Sequence, residues 1–109
     1  MVMTDYESVA ANTTTGNILA GKNKEFLEEA SILQIGVCAA AIGLRCTVVV
    51  GTEVIVDDQE VSAANHMPIF PDDILAEGGG FAGDRVTVRL RNTTAAPIVA
   101  WTKINLQPA

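Results

Sequence analysis

Two segments near the C-terminus repeat with a period of two, and in each of them one set of alternate positions is more apolar than the other. The first runs from Asp84 to Arg91 and the second from Pro97 to Leu106. A period of two places successive side chains on opposite faces of a β-strand, so each segment predicts a strand with one apolar face. The residues predicted to face the core are Val86, Val88 and Leu90 in the first strand and Ile98, Ala100, Ile104 and Leu106 in the second.

The middle of the chain is less clear. Residues 31–40 fit a strand or a helix, because Gly36 favours a strand whereas the three alanines at 39–41 favour a helix. Residues 44–50 are rich in β-branched side chains and lie between two glycines, which favours a strand that contributes Val48 and Val50 to the core. We expect the two segments to form a hairpin about Ile42 and Gly43.

The same stretch, residues 31–51, is long and apolar enough to raise the possibility of a membrane span. Gln34, Arg45 and Thr47 interrupt it, and it lacks basic flanks and an aromatic belt. The pattern therefore favours strands in a water-soluble domain, and no membrane partner is expected.

Polar and glycine-rich segments complete the organisation. Residues 1–16 show no apolar period and predict an extended N-terminal arm, whose deletion should leave the rest folded. Residues 57–83 contain two prolines and three consecutive glycines and predict a long loop, of the kind that often forms an interface. The expected fold is all-β: a small antiparallel β-sandwich, jelly-roll-like, over residues 17–109, with the arm at 1–16.

Composition narrows the function. The net charge of −6, with only seven Lys and Arg residues, gives no electrostatic reason to bind nucleic acid. Aromatic residues make up only 5%, which does not suit a pocket lined with rings. The polar, acidic start does not resemble a signal peptide, so we expect the protein in the cytoplasm or in a particle built there.

No catalytic residue, metal site or cofactor is expected. His66 is the only histidine, and a base or metal site built on it would need a Cys, Ser or carboxylate partner that the sequence does not mark. Cys38 and Cys46 match no zinc-ligand spacing with it. In the hairpin register that buries the most apolar surface, the two thiols face opposite sides, so both are expected to be free.

Two features are candidate interface elements. Arg85, Arg89 and Arg91, three of the four arginines, share one face of a strand, and they can pair with carboxylates of a partner or form a solvated outer face. Trp101 lies beside Lys103 on the less apolar face of the last strand. It is a candidate interface anchor or carbohydrate platform, or a partly buried packing residue.

Three pieces of the chain also carry a resemblance to a known family. Together they resemble the small β-sandwich decoration, or cement, proteins of tailed bacteriophage heads. The resemblance covers residues 17–107 and rests on the order of strands and loops. The pieces are residues 17–21 (NILAG) with 25–27 (EFL), residues 67–73 (MPIFPDD), and residues 83–95 (GDRVTVRLRNTTA) followed by the final strand.

The resemblance implies a virion structural protein without enzymatic activity. Such proteins sit on the capsid surface as dimers or trimers and clamp neighbouring capsomers, so the implied partners are the major capsid protein and the chain itself. In the loop, Phe70, Asp72 and Asp73 become further candidate interface residues. The alternative is a small ligand- or carbohydrate-binding β-module without enzymatic activity.

Overall fold

The computed structural model describes residues 1–22 and 25–109. Within these ranges the chain forms seven β-strands and no α-helix. All strand pairs are antiparallel. The strands are β1 (Val2–Val9), β2 (Ser31–Ala39), β3 (Leu44–Val50), β4 (Glu53–Glu60), β5 (Ala76–Gly80), β6 (Val86–Asn92) and β7 (Ile98–Pro108).

Two sheets face each other across one core. The first has the strand order β1-β7-β2-β5 and the second has the order β4-β3-β6. Every residue predicted to face the core is at most 6% exposed, so the alternation in the C-terminal half assigned the strand faces correctly. The confirmed core residues are Val48, Val50, Val86, Val88, Leu90, Ile98 and Ile104. The expected all-β antiparallel sandwich is confirmed.

The connectivity is that of a jelly roll. Residues 13–18 run beside β6 without forming a full strand: the amides of Thr15 and Ile18 donate to the carbonyls of Leu90 and Val88. When this segment is counted as the fourth strand of the second sheet, consecutive strands alternate between the sheets except at the β3–β4 hairpin, as in an eight-stranded jelly roll. The segment also covers the outer edge of β6, which would otherwise present unpaired backbone groups.

The N-terminal arm is the first expectation that the structure corrects. Residues 2–9 are strand β1, paired along its whole length with β7 from Val2 opposite Asn105 to Val9 opposite Ile98. Residues 13–18 are bound to β6 as described. Strand β1 has the pattern of an arm because two of its inward residues, Asp5 and Glu7, are charged while Val2 and Tyr6 point outward, so no apolar period stands out.

The hairpin between residues 31–41 and 44–50 is the second correction. Residues 31–39 do form a strand rather than a helix, but β2 pairs with β5 and β7, whereas β3 pairs with β4 and β6. The turn at Ile42 and Gly43 carries the chain from one sheet to the other. This arrangement lets both strands pair on both sides, which satisfies more backbone groups than a hairpin alone.

The long loop predicted over residues 57–83 is only partly correct. Strand β4 extends to Glu60, and the glycine triplet lies in the edge strand β5, so the irregular segment is residues 61–75. A Cβ at Gly78 would lie 2.2 Å from Cδ1 of Ile55, and one at Gly80 would lie 2.6 Å from Val50. The glycines therefore allow β5 to approach the facing sheet closely.

The described residues contain no helix that is long and apolar enough to cross a membrane.

Candidate functional site

The arginines of β6 are used mostly within the molecule. Nε of Arg85 donates to Glu25 at 2.8 Å, and Arg91 donates to both carboxylate oxygens of Asp58 at 3.0 and 2.6 Å. Arg89 is exposed and forms no ion pair within the part of the chain that the structure describes. Of the three candidate interface arginines, Arg89 is therefore the one whose charge remains available to a partner.

A β-bulge positions Asp58 for this role. The register of β3 against β4 shifts around Thr47, and Asp58 has a left-handed φ of 48°. Its backbone amide donates to Oγ1 of Thr47, while its carboxylate meets Arg91 and also Nε of Arg45 at 3.3 Å. The bulge thus aims one carboxylate at two guanidinium groups.

This arrangement predicts a pH dependence of stability. The hydrogen bond from Arg91, above all, lowers the pKa of Asp58. A lowered folded-state pKa means a stability contribution that is present above the unfolded value, about 3.9, and is lost as the pH falls through the folded value. Asp58→Asn should therefore be less stable than the wild type at about pH 7, and the difference should be smaller at about pH 2.

Urea unfolding of both proteins at the two pH values measures this directly. Asp57→Asn, which changes the exposed neighbouring carboxylate, is the matched control. The same loss of stability for Asp58→Asn at both pH values would contradict the ionic role assigned to this carboxylate.

The outer face of the first sheet carries an aromatic pair. Tyr6 on β1 lies opposite Trp101 on β7, and their rings meet edge to face with centroids 5.9 Å apart. Trp101 is half-buried, whereas Tyr6 is 63% exposed. The structure thus brings the only tryptophan and the only tyrosine together on one surface.

The 61–75 loop covers another part of this face. It approaches β2 at Gly36, where a Cβ would lie 2.7 Å from the carbonyl oxygen of Asp73 and 2.7 Å from the Phe70 ring. Phe70, a candidate interface residue, is half-buried, and Nζ of Lys103 lies 5.0 Å from its ring centroid. Asp72 is exposed and remains available for an interface, whereas Asp73 turns inward and is half-buried.

Beneath the loop, three potential ligand residues meet. The Cys38 sulfur, a His66 nitrogen and an Asp73 carboxylate oxygen all lie within 4.8 Å of one another. Nδ1 of His66 is 2.8 Å from the Met67 carbonyl oxygen and 3.9 Å from Oδ2 of Asp73. The sequence prediction assigned no site to His66 because no partner was evident, and the fold supplies both a thiol and a carboxylate.

The two cysteines differ in their surroundings. Both are free and buried. Burial raises the pKa of the Cys46 thiol to about 12, as expected for a thiol inside the apolar core. Burial and the charge of Asp73 raise the pKa of Cys38, which lines a cleft of about 280 Å³ beneath the loop. Cys38 therefore lies in the wall of this cleft, although the residue itself is fully buried.

One end of the sandwich concentrates exposed apolar side chains. At this end lie the starts of four strands, β1, β2, β4 and β6, and the ends of β5 and β7, according to the strand register. Of nine large apolar side chains exposed in the described residues, six lie at this apolar end. They are Met1, Val2, Phe26, Ile32, Val54 and Phe81, with Phe81 76% exposed.

Phe81 is held in place by a tight turn. Its amide donates to Oδ2 of Asp84, and the Leu27 amide donates to the Asp84 carbonyl oxygen. Phe26 forms an isolated bridge with Arg85 in the same loop cluster. The two exposed phenylalanines are therefore presented by backbone that is already ordered, which lowers the entropy cost of a contact there.

Comparison with known proteins leaves this chain without an assigned family. No family model matches it, and no curated protein matches it. Among solved structures it is similar to a cupin 2 domain-containing protein from Halorhodospira halophila, with 12% sequence identity and a TM-score of 0.36. The match covers 98% of this chain and 57% of that protein, so the chain spans little more than half of its length.

Sequence reasoning missed the apolar end and the ligand cluster for the same reason. Their members come from distant parts of the chain: Phe26 and Phe81 in one case, and Cys38, His66 and Asp73 in the other. They are brought together by contacts between segments that do not follow one another along the chain. The only signal available was the chemical character of the residues, in particular a single histidine in a loop with nearby carboxylates.

Proposed function

We propose that this chain is a non-enzymatic structural protein of a virus particle, a decoration protein that binds the outer surface of a phage head as a homo-oligomer and bridges capsomers. The observation that carries the proposal is the apolar end of the sandwich. Single exposed apolar side chains are ordinary on soluble proteins, but six gathered at one end are typical of a protein contact.

The energetics of the apolar end favour association. Burying a side chain such as Phe81 stabilises a complex by about 1.5–3 kcal/mol relative to leaving it in water. Two or three such anchors can offset the loss of translational and rotational freedom only if they are buried together. Symmetric self-association brings two or more copies of the same patch into contact and so meets that condition.

Charge supports the second contact, with the capsid. Arg89 lies exposed on the outer face of the second sheet and is free of ion pairs within the described chain, while Arg85 and Arg91 are paired internally. An unpaired arginine on a molecule of net charge −6 favours a partner surface that carries carboxylates. Arg89→Glu should therefore weaken capsid binding more at low than at high salt, because exposed charge pairs are screened.

The jelly roll itself is compatible with this proposal. The architecture occurs in viral capsid proteins, but also in lectins and cupins, so the fold alone does not choose among them. The proposal therefore depends on the surfaces just described and on the sequence resemblance to phage decoration proteins.

The second candidate is a carbohydrate-binding module, and the Tyr6–Trp101 pair is the observation that favours it. Tyr6 offers one exposed ring face edge-on to Trp101, with an angle of 69° between the rings. A sugar ring stacks best on a broad aromatic surface, and two rings at this angle provide only one such face. The pair therefore ranks below the apolar end as a guide to function.

Sedimentation velocity of the purified protein tests the role of the apolar end. The wild type should sediment as a dimer or trimer, and Phe81→Glu should shift it to the monomer because a charge cannot be buried in an apolar contact without a partner. Ile42→Glu is the matched control: Ile42 is 72% exposed but lies in the β2–β3 turn at the opposite end.

The control variant should sediment like the wild type. A wild type that remains monomeric at high micromolar concentration, or equal effects of the two substitutions, would remove the support that the apolar end gives to the proposal. Binding of an oligosaccharide that is lost in Tyr6→Ala would favour the second candidate instead.

A further inference from the structure

The cluster beneath the 61–75 loop combines three kinds of metal-binding atom. A thiol from strand β2, an imidazole from the loop and a carboxylate from the same loop lie within 4.8 Å of one another. Sulfur, nitrogen and oxygen donors together suit a borderline ion such as Zn²⁺. We propose that Cys38, His66 and Asp73 form a three-ligand site for a divalent transition metal ion of the zinc type, with the fourth position open to the cleft.

The distances are close to those that such a site needs. Zinc binds sulfur at about 2.3 Å and nitrogen or oxygen at about 2.0–2.2 Å, so tetrahedral ligand atoms lie about 3.5 Å apart. The observed separations, up to 4.8 Å, require a contraction of roughly 1 Å. His66 and Asp73 lie on an irregular loop, and the His66 side chain is exposed, so the loop can supply this movement.

The backbone around the cluster is already organised. The amide of Ala39 donates to the Ser62 carbonyl oxygen, and the amide of Asn65 donates to the Ala39 carbonyl oxygen. These bonds attach the start of the loop to β2 on one side of Cys38. Oδ2 of Asp73 accepts the Ile69 amide at 2.9 Å, which orients this carboxylate inside the loop.

Gly36 contributes by its lack of a side chain. Two positions before Cys38 on the same face of β2, it lets the Asp73 backbone and the Phe70 ring approach the strand. A Cβ there would meet a backbone oxygen at 2.7 Å, which cannot move without displacing the loop. The close approach that brings Asp73 to Cys38 therefore depends on this glycine.

The electrostatics of the cleft favour a cation. Its described lining includes three carboxylates and neither lysine nor arginine, and Cys38 itself makes no hydrogen bond to any described residue through its thiol. The lining residues are Val37, Cys38, Gln59, Glu60, Ser62, Asp72, Asp73, Ile74 and Leu75. A divalent ion would compensate the carboxylates and stabilise the thiolate form of Cys38.

Titration of the full-length, chelator-treated protein with Co²⁺ tests the site, since Co²⁺ takes the place of Zn²⁺ and reports its ligands. The wild type should bind one ion and develop a thiolate-to-cobalt charge-transfer band in the near ultraviolet, together with the intense visible bands of tetrahedral cobalt. Addition of Zn²⁺ should remove these bands by displacing the cobalt.

The substitution Cys38→Ala should abolish the charge-transfer band. Loss of an outer-shell partner alone costs about 10–100-fold in metal affinity, so loss of this direct ligand should cost about 100-fold or more. The control Cys46→Ala, at the thiol inside the apolar core, should leave the band intact. His66→Gln and Asp73→Asn should each weaken binding, and they keep the test valid if Cys38→Ala does not fold.

Two results would overturn the proposal. One is a wild type that shows no charge-transfer band at saturating Co²⁺. The other is equal Co²⁺ affinity in the wild type and in folded variants of all three ligands, which would place any bound ion elsewhere on the acidic surface.

Discussion

Deletion of residues 1–16 is expected to abolish the stable sandwich. The deletion removes β1, which pairs with β7 from Val2 to Val9, and it removes most of the segment that hydrogen-bonds along β6. Val9, which is 1% exposed, would leave the core, and the buried Asn92 would lose the Val9 carbonyl oxygen that its side-chain amide binds. One edge of each sheet would be uncovered at once.

The expected size of the effect is comparable with the whole stability of an ordinary small domain. Loss of a buried aliphatic side chain, of a strand's ladder and of a buried hydrogen-bond partner each costs on the order of 1–3 kcal/mol. Domains of this size are stable by about 5–15 kcal/mol in total. The truncated protein should therefore be largely unfolded or aggregated through its open strand edges.

Far-ultraviolet circular dichroism and urea unfolding of the truncated protein measure this effect. The matched control keeps β1 and replaces its outward residues Val2, Thr4 and Tyr6 by serine, which should leave a cooperative unfolding transition. A truncated protein with the wild-type transition would mean that residues 1–16 act as a separable arm after all.

Leu90→Ala is expected to destabilise the protein by about 2–4 kcal/mol. Leu90 is fully buried in the middle of the core and pairs across the second sheet with Cys46. Removing its side-chain atoms loses their transfer free energy and leaves a cavity that two surrounding sheets cannot close completely. The result should be a lower urea midpoint with an unchanged slope.

Val54→Ala provides the comparison for this prediction. Val54 also lies on a strand of the second sheet but is 55% exposed, so its truncation should change stability by less than about 0.5 kcal/mol. If Leu90→Ala also changed stability by less than about 0.5 kcal/mol, the inward assignment of β6 would be wrong.

The sequence predicted the C-terminal half of the fold well because its strands alternate clearly. In β6 and β7 the inward positions are apolar except for Asn92 and Thr102, so the period of two is readable without further information. The buried β2 was ambiguous because both of its faces are covered, one by the core and one by the 61–75 loop. A strand covered on both faces has no polar period to read.

The strand β1 was missed because half of its inward face is charged. Asp5 and Glu7 point inward, where Asp5 is paired with Lys22 and the exposed fraction of its side chain is only 9%. Burial, followed by the charge of Asp5, raises the pKa of Glu7. An edge strand that carries carboxylates on its inner face is well protected from pairing with other molecules, but its sequence resembles that of an arm.

The topology was the part that local patterns could not supply. In a jelly roll the consecutive strands β2 and β3 lie in different sheets, and β7 pairs with β1 at the far end of the chain. A hairpin is the simplest interpretation of two strands that follow one another in the sequence. Only the packing of the two sheets against each other decides against it. The ligand cluster and the apolar end depend on this topology and became visible with it.

Co-sedimentation with phage heads tests the proposed function most directly. Heads assembled from the major capsid protein encoded nearest to this chain would be mixed with the wild type, Phe81→Glu and Arg89→Glu, with Ile42→Glu as the control. The account predicts saturable binding of the wild type and the control, and weaker binding of the other two. A wild type that never sediments with the heads would contradict it.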